Sequence, residues 1–570
     1  VNPQIPSWQF NGYTRRAETL LAWHAACICL FFTLPKGLSM FYRSLLFLAP
    51  ASLIACAGIA VAGEEAPASP RFDINRFDVR GNTLLPTAEL ERSLAAFVGR
   101  LRDFGDVVQA QQALEAVYHQ HGYQLVRVDL PEQELDGGVV VFQVVETRIG
   151  QVRVAGNQHF SESNVRHALP GLQEGQTPNL TAVSKSLKLA NENPARQTVM
   201  KLQNSQTQDA VDADLQVADE SPWSAALNVD NSGSKQTGRT YVGGVLQNAN
   251  LFGLDHVMSV QYTTTAEKPN RVSVYGLGYH LPLYELGDSV DLYSSYSDVD
   301  SGMVTAGIFD LAVSGKGSIF GARYNHNLAT DGNYQSKIVY GIDYKAYKNN
   351  LELEDAEQGN VQLGNDITVR PLSVGYQGTW VRLEGDANVA VSLVHNIPGG
   401  ARGRQSDFEL ARTHAPDDYS ALRFAANITQ ALPGAFQLRG VINGQYSKDA
   451  LIPGEQFGAG GAMSVRGFRE REVSNDSGVT GNLEAYTPPL CSGAWQCRAL
   501  AFYDNAYLTR NDALPGEFRH IALSSVGLGL RMTYQKSLNL QVDYGHALLA
   551  EASETERGDN RLHVRVGLAF

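Results

Sequence analysis

Beyond Pro222 the chain holds roughly 350 residues in which segments of about ten alternate apolar and polar side chains between polar or glycine-rich turns, the pattern of strands that cross a membrane as a closed barrel. The last segment is the clearest. Leu562, Val564, Val566, Leu568 and Phe570 share one face, and Arg561, His563 and Arg565 the other. Val526, Leu528, Leu530, Met532 and Tyr534 repeat the pattern, as do Leu538, Leu540, Val542 and Tyr544, and Leu422, Phe424, Ala426 and Ile428. Strands apolar on one face need a surface that buries it. In an exported chain, lipid outside a closed barrel supplies that surface, and closure removes every unpaired edge. A soluble sandwich or propeller fits less well, because there is no blade-length repeat and the terminal strand carries arginine on its inward side. At about 22 residues per strand and connection the region holds about sixteen antiparallel strands, enough to enclose a lumen that must be plugged or gated.

The other end of the chain reads as an export address. Met40 opens a segment with Arg43, an apolar run from Leu45 to Ile59, and Ala60-Val61-Ala62 before Gly63, which is the layout of a secretory signal peptide over 40–62. Residues 1–39 are read as an extension from an upstream start. A lipoprotein site at Leu53-Ile54-Ala55-Cys56 is the competing reading. After cleavage no apolar run reaches the roughly 20 residues of a transmembrane helix. Of the five cysteines, three fall in this region, leaving Cys491 and Cys497. So close a pair in an exported chain suggests a small disulfide loop, with two free thiols as the alternative. The formal charge of -13 and the lack of basic patches argue against a nucleic-acid partner.

From Phe72 a weak repeat with a period of roughly 75 residues appears, the size of a small domain. Asp78-Val79-Arg80-Gly81-Asn82 recurs as Arg153-Val154-Ala155-Gly156-Asn157, and the closing strand Phe142 to Glu146 recurs as Leu215 to Asp219. In the first unit Thr87 is expected to cap a helix carrying Leu94, Phe97, Val98 and Leu101, and Asp106 a second with Ala110, Leu114, Val117 and Tyr118 on one face, ending at Gly122. Strands at Gln124 to Leu130 and Val139 to Val145 follow, joined through Asp136-Gly137. The order is β-α-α-β-β. The second unit repeats it, with a strand at Gln151 to Ala155, helices from Ser161 and through Val183 and Leu187, and strands near Thr198 and Val211. A sheet this small has an edge that accepts an extended peptide as an extra strand unless the edge is blunted. His119 and His121 lack a third ligand nearby and are read as an exposed helix end.

The two units resemble polypeptide-transport-associated (POTRA) domains, at 72–147 and 148–220, and Asn193-Pro194-Ala195-Arg196 resembles the segment before the closing hairpin of that domain in two-partner secretion transporters. Asp230-Asn231-Ser232-Gly233 with Thr237-Gly238, then Asn250-Leu251-Phe252-Gly253-Leu254-Asp255, resemble the opening barrel hairpin of the same transporters. These are the hemolysin secretion/activation and filamentous hemagglutinin transporters of the BamA-like superfamily. The resemblance implies an all-β membrane barrel of about 16 antiparallel strands at 221–570, preceded by a short linker at 63–71 and two small α+β POTRA-like domains. It implies a bacterial outer-membrane translocase whose periplasmic POTRA domains capture a large unfolded secreted passenger, adhesin- or hemolysin-like. The barrel would be inserted into outer-membrane lipid by the barrel-assembly machinery, with Phe570 as its C-terminal signal.

The same resemblance gives meaning to Ser464-Val465-Arg466-Gly467-Phe468, which follows the small-residue run G-A-G-G-A-M. In those transporters a V-R-G-[FY] tip of a long extracellular loop folds back into the barrel, and its arginine meets the aspartate of an F-x-D-x-G motif on the inner wall. Val465, Arg466, Gly467 and Phe468 match the tip. Phe502, Asp504 and Ala506 match the wall, with alanine at 506 where glycine is expected. An arginine fork binds a carboxylate through two parallel hydrogen bonds, and glycine lets the loop backbone pass close to the wall. Turning Asp504 inward turns Leu500 and Phe502 inward as well. Tyr503, Tyr507 and, less comfortably, Asn505 then face lipid. Counting strands back from Phe570 puts the loop before Gly481 outside the cell and the Cys491–Cys497 turn in the oxidising periplasm. Members of the family often carry an N-terminal plug helix. Only the short 63–71 stretch precedes the first POTRA-like unit, so unless the plug lies elsewhere the folded-in loop is expected to be the main gate.

No H-E-x-x-H, G-x-S-x-G, Walker loop or C-x-x-C is present, and the carboxylates are scattered. The chain reads as a non-enzyme without cofactor or metal. A BamA-like factor that inserts other barrels is the alternative function, and a passive porin a third.

Overall fold

The structure, a computed structural model, describes residues 70–235, 237–298, 303–306, 309–312, 316–348, 351–355, 359–363 and 366–570, with the short pieces 303–306, 309–312, 351–355 and 359–363 described as backbone. The expected signal peptide at 40–62, the extension before it, nearly all of the 63–71 linker and the place where a plug helix would join lie outside the described residues.

The first small domain is a three-stranded sheet, Arg76–Arg80 parallel to Val139–Glu146, which also pairs antiparallel with Val126–Asp129. Helices Thr87–Leu94 and Phe104–Gln120 cover it, burying Leu90, Leu94, Leu114, Tyr118 and Phe142. Two expectations shift here. The first helix stops at Leu94, because the residues that continued its spacing turn into a strand, Gly99–Arg102, paired with Phe72–Ile74. Val98 and Leu101 are exposed as a result. Thr87 is the first helical residue and makes no cap. The second helix is capped by Asp103, whose carboxylate accepts from the Asp106 N–H while the Asp106 carboxylate accepts from the Asp103 N–H. Asp106 is thus the third helical residue of a reciprocal capping box. His121 ends this helix with Nδ1 2.9 Å from the Val117 carbonyl oxygen.

One residue, Thr147, leads into the second domain. Arg148–Ala155 runs parallel to Ala210–Asp219, and Arg196–Asn204 pairs antiparallel with the latter at the edge of the sheet. Its helices are Glu162–His167, capped by Ser161, and Leu180–Ala190, capped by Asn179. Gly81 and Gly156, the repeated glycines of the two units, both adopt positive φ against the carbonyl of the closing strand, at Val144 and Val217, where a Cβ would collide.

The remainder forms sixteen antiparallel strands closed into a barrel. The first five are β1 (Trp223–Asp230), β2 (Tyr241–Leu251), β3 (His256–Thr265), β4 (Val274–Leu283) and β5 (Asp288–Ser297). Next come β6 (Gly317–Asn327), β7 (Tyr334–Tyr347) and β8, made of Ile367–Val369 and Pro371–Arg382, both paired with β7. β9 (Gly385–Asn396), β10 (Ser420–Ala431) and β11 (Gln437–Tyr446) follow. The last five are β12 (Ser477–Tyr486), β13 (Trp495–Thr509), β14 (His520–Tyr534), β15 (Leu538–Ala550) and β16 (Asn560–Ala569). Leu246, Leu277, Phe320, Ile342, Leu528 and Leu562 are exposed on the outer face, while neighbours one residue away, such as His563, are buried inside. That is the polarity of a lipid-facing wall around a polar lumen.

β16 closes on β1 from Arg565↔Asp230 to Ala569↔Ala226, and Phe570 exchanges two backbone hydrogen bonds with Ala225, 2.8 and 3.1 Å. Because the chain leaves the second small domain at Glu220 and enters β1 at Trp223, Phe570 lies at the end of the barrel nearest the small domains. Odd strands run away from them and even strands return. The 447–476 loop between β11 and β12 therefore belongs to the far end, and the β12–β13 turn, with a disulfide between Cys491 and Cys497, to the near end.

Candidate functional site

The long loop after β11 turns back into the lumen, and its tip rests on the inner wall built by β12 to β16. Arg466 is buried there. Its Nε and Nη2 donate to the two oxygens of Asp504, each at 2.7 Å, and its backbone N–H donates to Asp504 Oδ2 at 3.0 Å. Nη1 donates to Glu484 Oε1 at 2.7 Å. Phe502, two residues before Asp504 and so on the same face of β13, lies under the guanidinium, whose carbon is 3.6 Å from the ring centre. Asn482, opposite Asp504 in the β12–β13 register, donates to Asp504 Oδ1 at 2.8 Å and also to the Ser464 carbonyl of the loop. Asp543 of β15 is 3.6 Å from Arg466 Nη1. Three carboxylates thus surround one guanidinium, and two wall arginines relieve the excess: Arg439 on Glu484 and Arg531 on Asp543, each 2.9 Å away.

Gly467 has a φ of +98°, and its N–H donates to His563 Nε2 on β16 at 3.0 Å, so this imidazole carries its proton on Nδ1. The loop backbone passes directly over Gly545 of β15. A Cβ at that position would stand 2.6 Å from Gly467 N and 2.8 Å from Arg466 C. Val465 and Phe468, on either side of the Arg-Gly pair, are fully buried in a cluster with Ala506 and Leu508 of β13, Leu523 of β14 and Ala547 of β15. The alanine at 506, a departure from the expected glycine, places its methyl group in this apolar seat. Asn505 does point outward. It lies beside Gly481 of β12, where the missing side chain leaves a notch for the amide.

The base of the loop is held by two further buried carboxylates. Asp476 pairs with Arg412, and accepts from the N–H groups of Leu451 at 2.9 Å and Asn511 at 2.7 Å. Glu455 accepts from Lys345 at 2.8 Å, Tyr347 at 2.7 Å and Arg423 at 3.0 Å. Sequence reasoning named Arg466, Asp504 and Phe502 but missed Glu484, Asn482, Asp543, Gly545, His563 and both base carboxylates. Alternation could have placed Asn482 and Glu484 on the inward face of β12. The same alternation puts Asp543 and Gly545 of β15 and His563 of β16 on the inward face, but nothing local marks them as partners of the loop, and no local pattern marks Glu455 or Asp476.

Residues 210–532, more than half of the chain, match the family model described as haemolysin secretion/activation protein ShlB/FhaC/HecB. The chain belongs to this family. Residues 72–147 match the POTRA domain of ShlB type. The chain is 26% identical over 423 residues to the outer membrane transporter CdiB of Escherichia coli strain 536, covering 73% of this chain and 68% of that protein. It is 25% identical to the hemolysin transporter protein ShlB of Serratia marcescens, covering 86% of each. Among solved structures, CdiB from Escherichia coli superposes with a TM-score of 0.68 at 21% identity, covering 98% of this chain and 97% of that one. This member of the family is a two-partner secretion transporter of the outer membrane and not an enzyme, with its POTRA domains in the periplasm. The seated loop therefore belongs to the cell-surface side.

Proposed function

We propose that this transporter captures an unfolded secretory partner in the periplasm through its POTRA domains and exports it through the barrel, with the loop tip at Val465 to Phe468 as the gate. The observation that carries the reading is the bidentate seat of Arg466 on Asp504 inside the lumen, where a chain passing through would displace the tip. The partner is read as a large adhesin- or hemolysin-like protein.

Capture is assigned to the outer edge of Arg196–Asn204. At Thr198 the outward N–H and C=O are already bonded to the Asn191 side chain, at 2.7 and 2.9 Å, so that end is blunted. By alternation the backbone groups of Met200 and Leu202 also point outward, and among the described residues no strand pairs with this edge. Exposed Val199 lies beside them. An incoming extended segment would add its hydrogen bonds there.

Met200→Pro tests the reading. The lost N–H faces outward and the internal ladder keeps its bonds, as proline is tolerated on an edge strand. Because the Met200 side chain also packs on the domain core, Met200→Ala, which loses that packing but keeps the N–H, is the control and is expected to export normally. Co-expressed with its secreted partner protein, the proline variant is expected to export that protein about tenfold less, while the barrel level in the outer membrane is unchanged. Undiminished secretion would sink edge capture. Recovery of nascent barrels on the wild-type chain, in place of a secreted protein, would favour the assembly-factor reading.

A further inference from the structure

Two motifs whose charged residues, Arg196 and Asp255, are 59 residues apart in sequence meet at the junction of the second POTRA domain with the barrel. Arg196, at the start of the edge strand, donates through Nη1 and Nη2 to Asp255 Oδ1 and Oδ2 at 3.1 and 2.7 Å, and both side chains are fully buried. Asp255 sits in the β2–β3 turn with a φ of +60°, a left-handed conformation that is held where surrounding contacts over-determine it. Those contacts are present. The Asp255 N–H donates to Asn250 Oδ1 at 3.0 Å, and Tyr284, in the β4–β5 turn, donates its hydroxyl to Asp255 Oδ2 at 2.7 Å. Asn164 accepts from Arg196 at 2.9 Å and donates to the Gly253 carbonyl at 2.7 Å, Asn193 donates to the Ala249 carbonyl at 2.7 Å, and Ser186 donates to the Tyr284 carbonyl at 2.8 Å. Apolar contacts among Ala168, Leu189, Ala190 and Tyr284 close the other side.

A swinging joint would be expected to present hydrated, exchangeable contacts. This one presents a buried ion pair with directional bonds to two separate barrel turns, which undocking has to break together, while loss of either charge alone would leave the other buried and unpaired in the docked state. We propose that Arg196 and Asp255 keep the second POTRA domain docked on the periplasmic rim whether the loop tip is seated or released, making it a fixed lip of the pore. The joint does not depend on what passes through the lumen. Gating motion is then confined to the loop and to whatever the first domain does.

A cysteine pair reads the joint directly. A Cβ on residue 287, in the same β4–β5 turn, would stand 3.1 Å from the Lys185 Cβ, within reach of disulfide formation. The full-length Lys185→Cys/Gly287→Cys variant, reconstituted in liposomes, is oxidised with copper phenanthroline and its closure rate is followed by thiol labelling. Gly287 has a φ of +70°, so the substitution strains the docked state and makes rapid closure a conservative sign of docking. Closure is expected to be near complete and equally fast with Arg466→Ala added, and at least tenfold slower with Asp255→Ala added. If Asp255→Ala does not insert, Tyr284→Phe serves, with closure slowed about threefold. Incomplete closure in the parent, slowing by Arg466→Ala, or no slowing by either joint variant would overturn the proposal.

Discussion

Arg466→Ala is expected to cut secretion of the partner protein at least about tenfold while leaving a heat-modifiable barrel in the outer membrane. Removing the guanidinium leaves Asp504 buried without its cation, which costs about 3–5 kcal/mol, and every 1.4 kcal/mol shifts an equilibrium about tenfold. The seated loop then becomes the minor state. The barrel survives because the Asp504 backbone remains paired with Asn482 and Ser525 in the wall. An export cycle that has to return to the seated state stalls when reseating fails. Arg466→Lys is expected to restore little, since a compact ammonium cannot hold both oxygens of Asp504 and also Glu484. Secretion at the wild-type level by Arg466→Ala would remove the gate from the reading.

Gly545→Val should do the same damage without touching a charged residue. The new Cβ would lie 2.6–2.8 Å from loop backbone atoms, which cannot rotate aside as a side chain could. Valine suits a strand, so the wall itself is not weakened. The loop is expelled with Arg466 and Asp504 both intact. Secretion is expected to fall about tenfold, and a cysteine placed by Ser464→Cys should become reactive to a membrane-impermeant maleimide on whole cells. Normal secretion together with strong labelling would show that export does not need the seated tip.

Much of this was readable from residues alone. Period-two alternation fixes a barrel because lipid sorts side chains strictly by face, and the Val465-Arg466-Gly467-Phe468 and Phe502-Asp504 segments carry their chemistry within a few residues. What stayed hidden is assembled across the ring. Glu484, Asp543, Gly545 and His563 come from β12, β15 and β16, and closure, not local sequence, brings the two carboxylates to one guanidinium and the glycine and imidazole to the loop backbone beside it. Arg196 and Asp255 were each inside a segment already noted, yet nothing in either predicts that they pair. In the first POTRA domain the helix ran too far because Phe97, Val98 and Leu101 keep helical spacing, whereas pairing of Gly99–Arg102 with Phe72–Ile74 wins over that local preference.

The two carboxylates at the base of the loop set a length. From Gln456, beside the Glu455 anchor, to Arg466 is about ten residues, which fully extended span about 33–36 Å. A bilayer's hydrocarbon core is about 30 Å thick. With Glu455 and Asp476 still fastened and the short pairing of Phe457–Ala459 with Val473–Asn475 undone, the tip is therefore on a leash long enough to travel from the lumen wall to the cell surface and short enough to find its seat again.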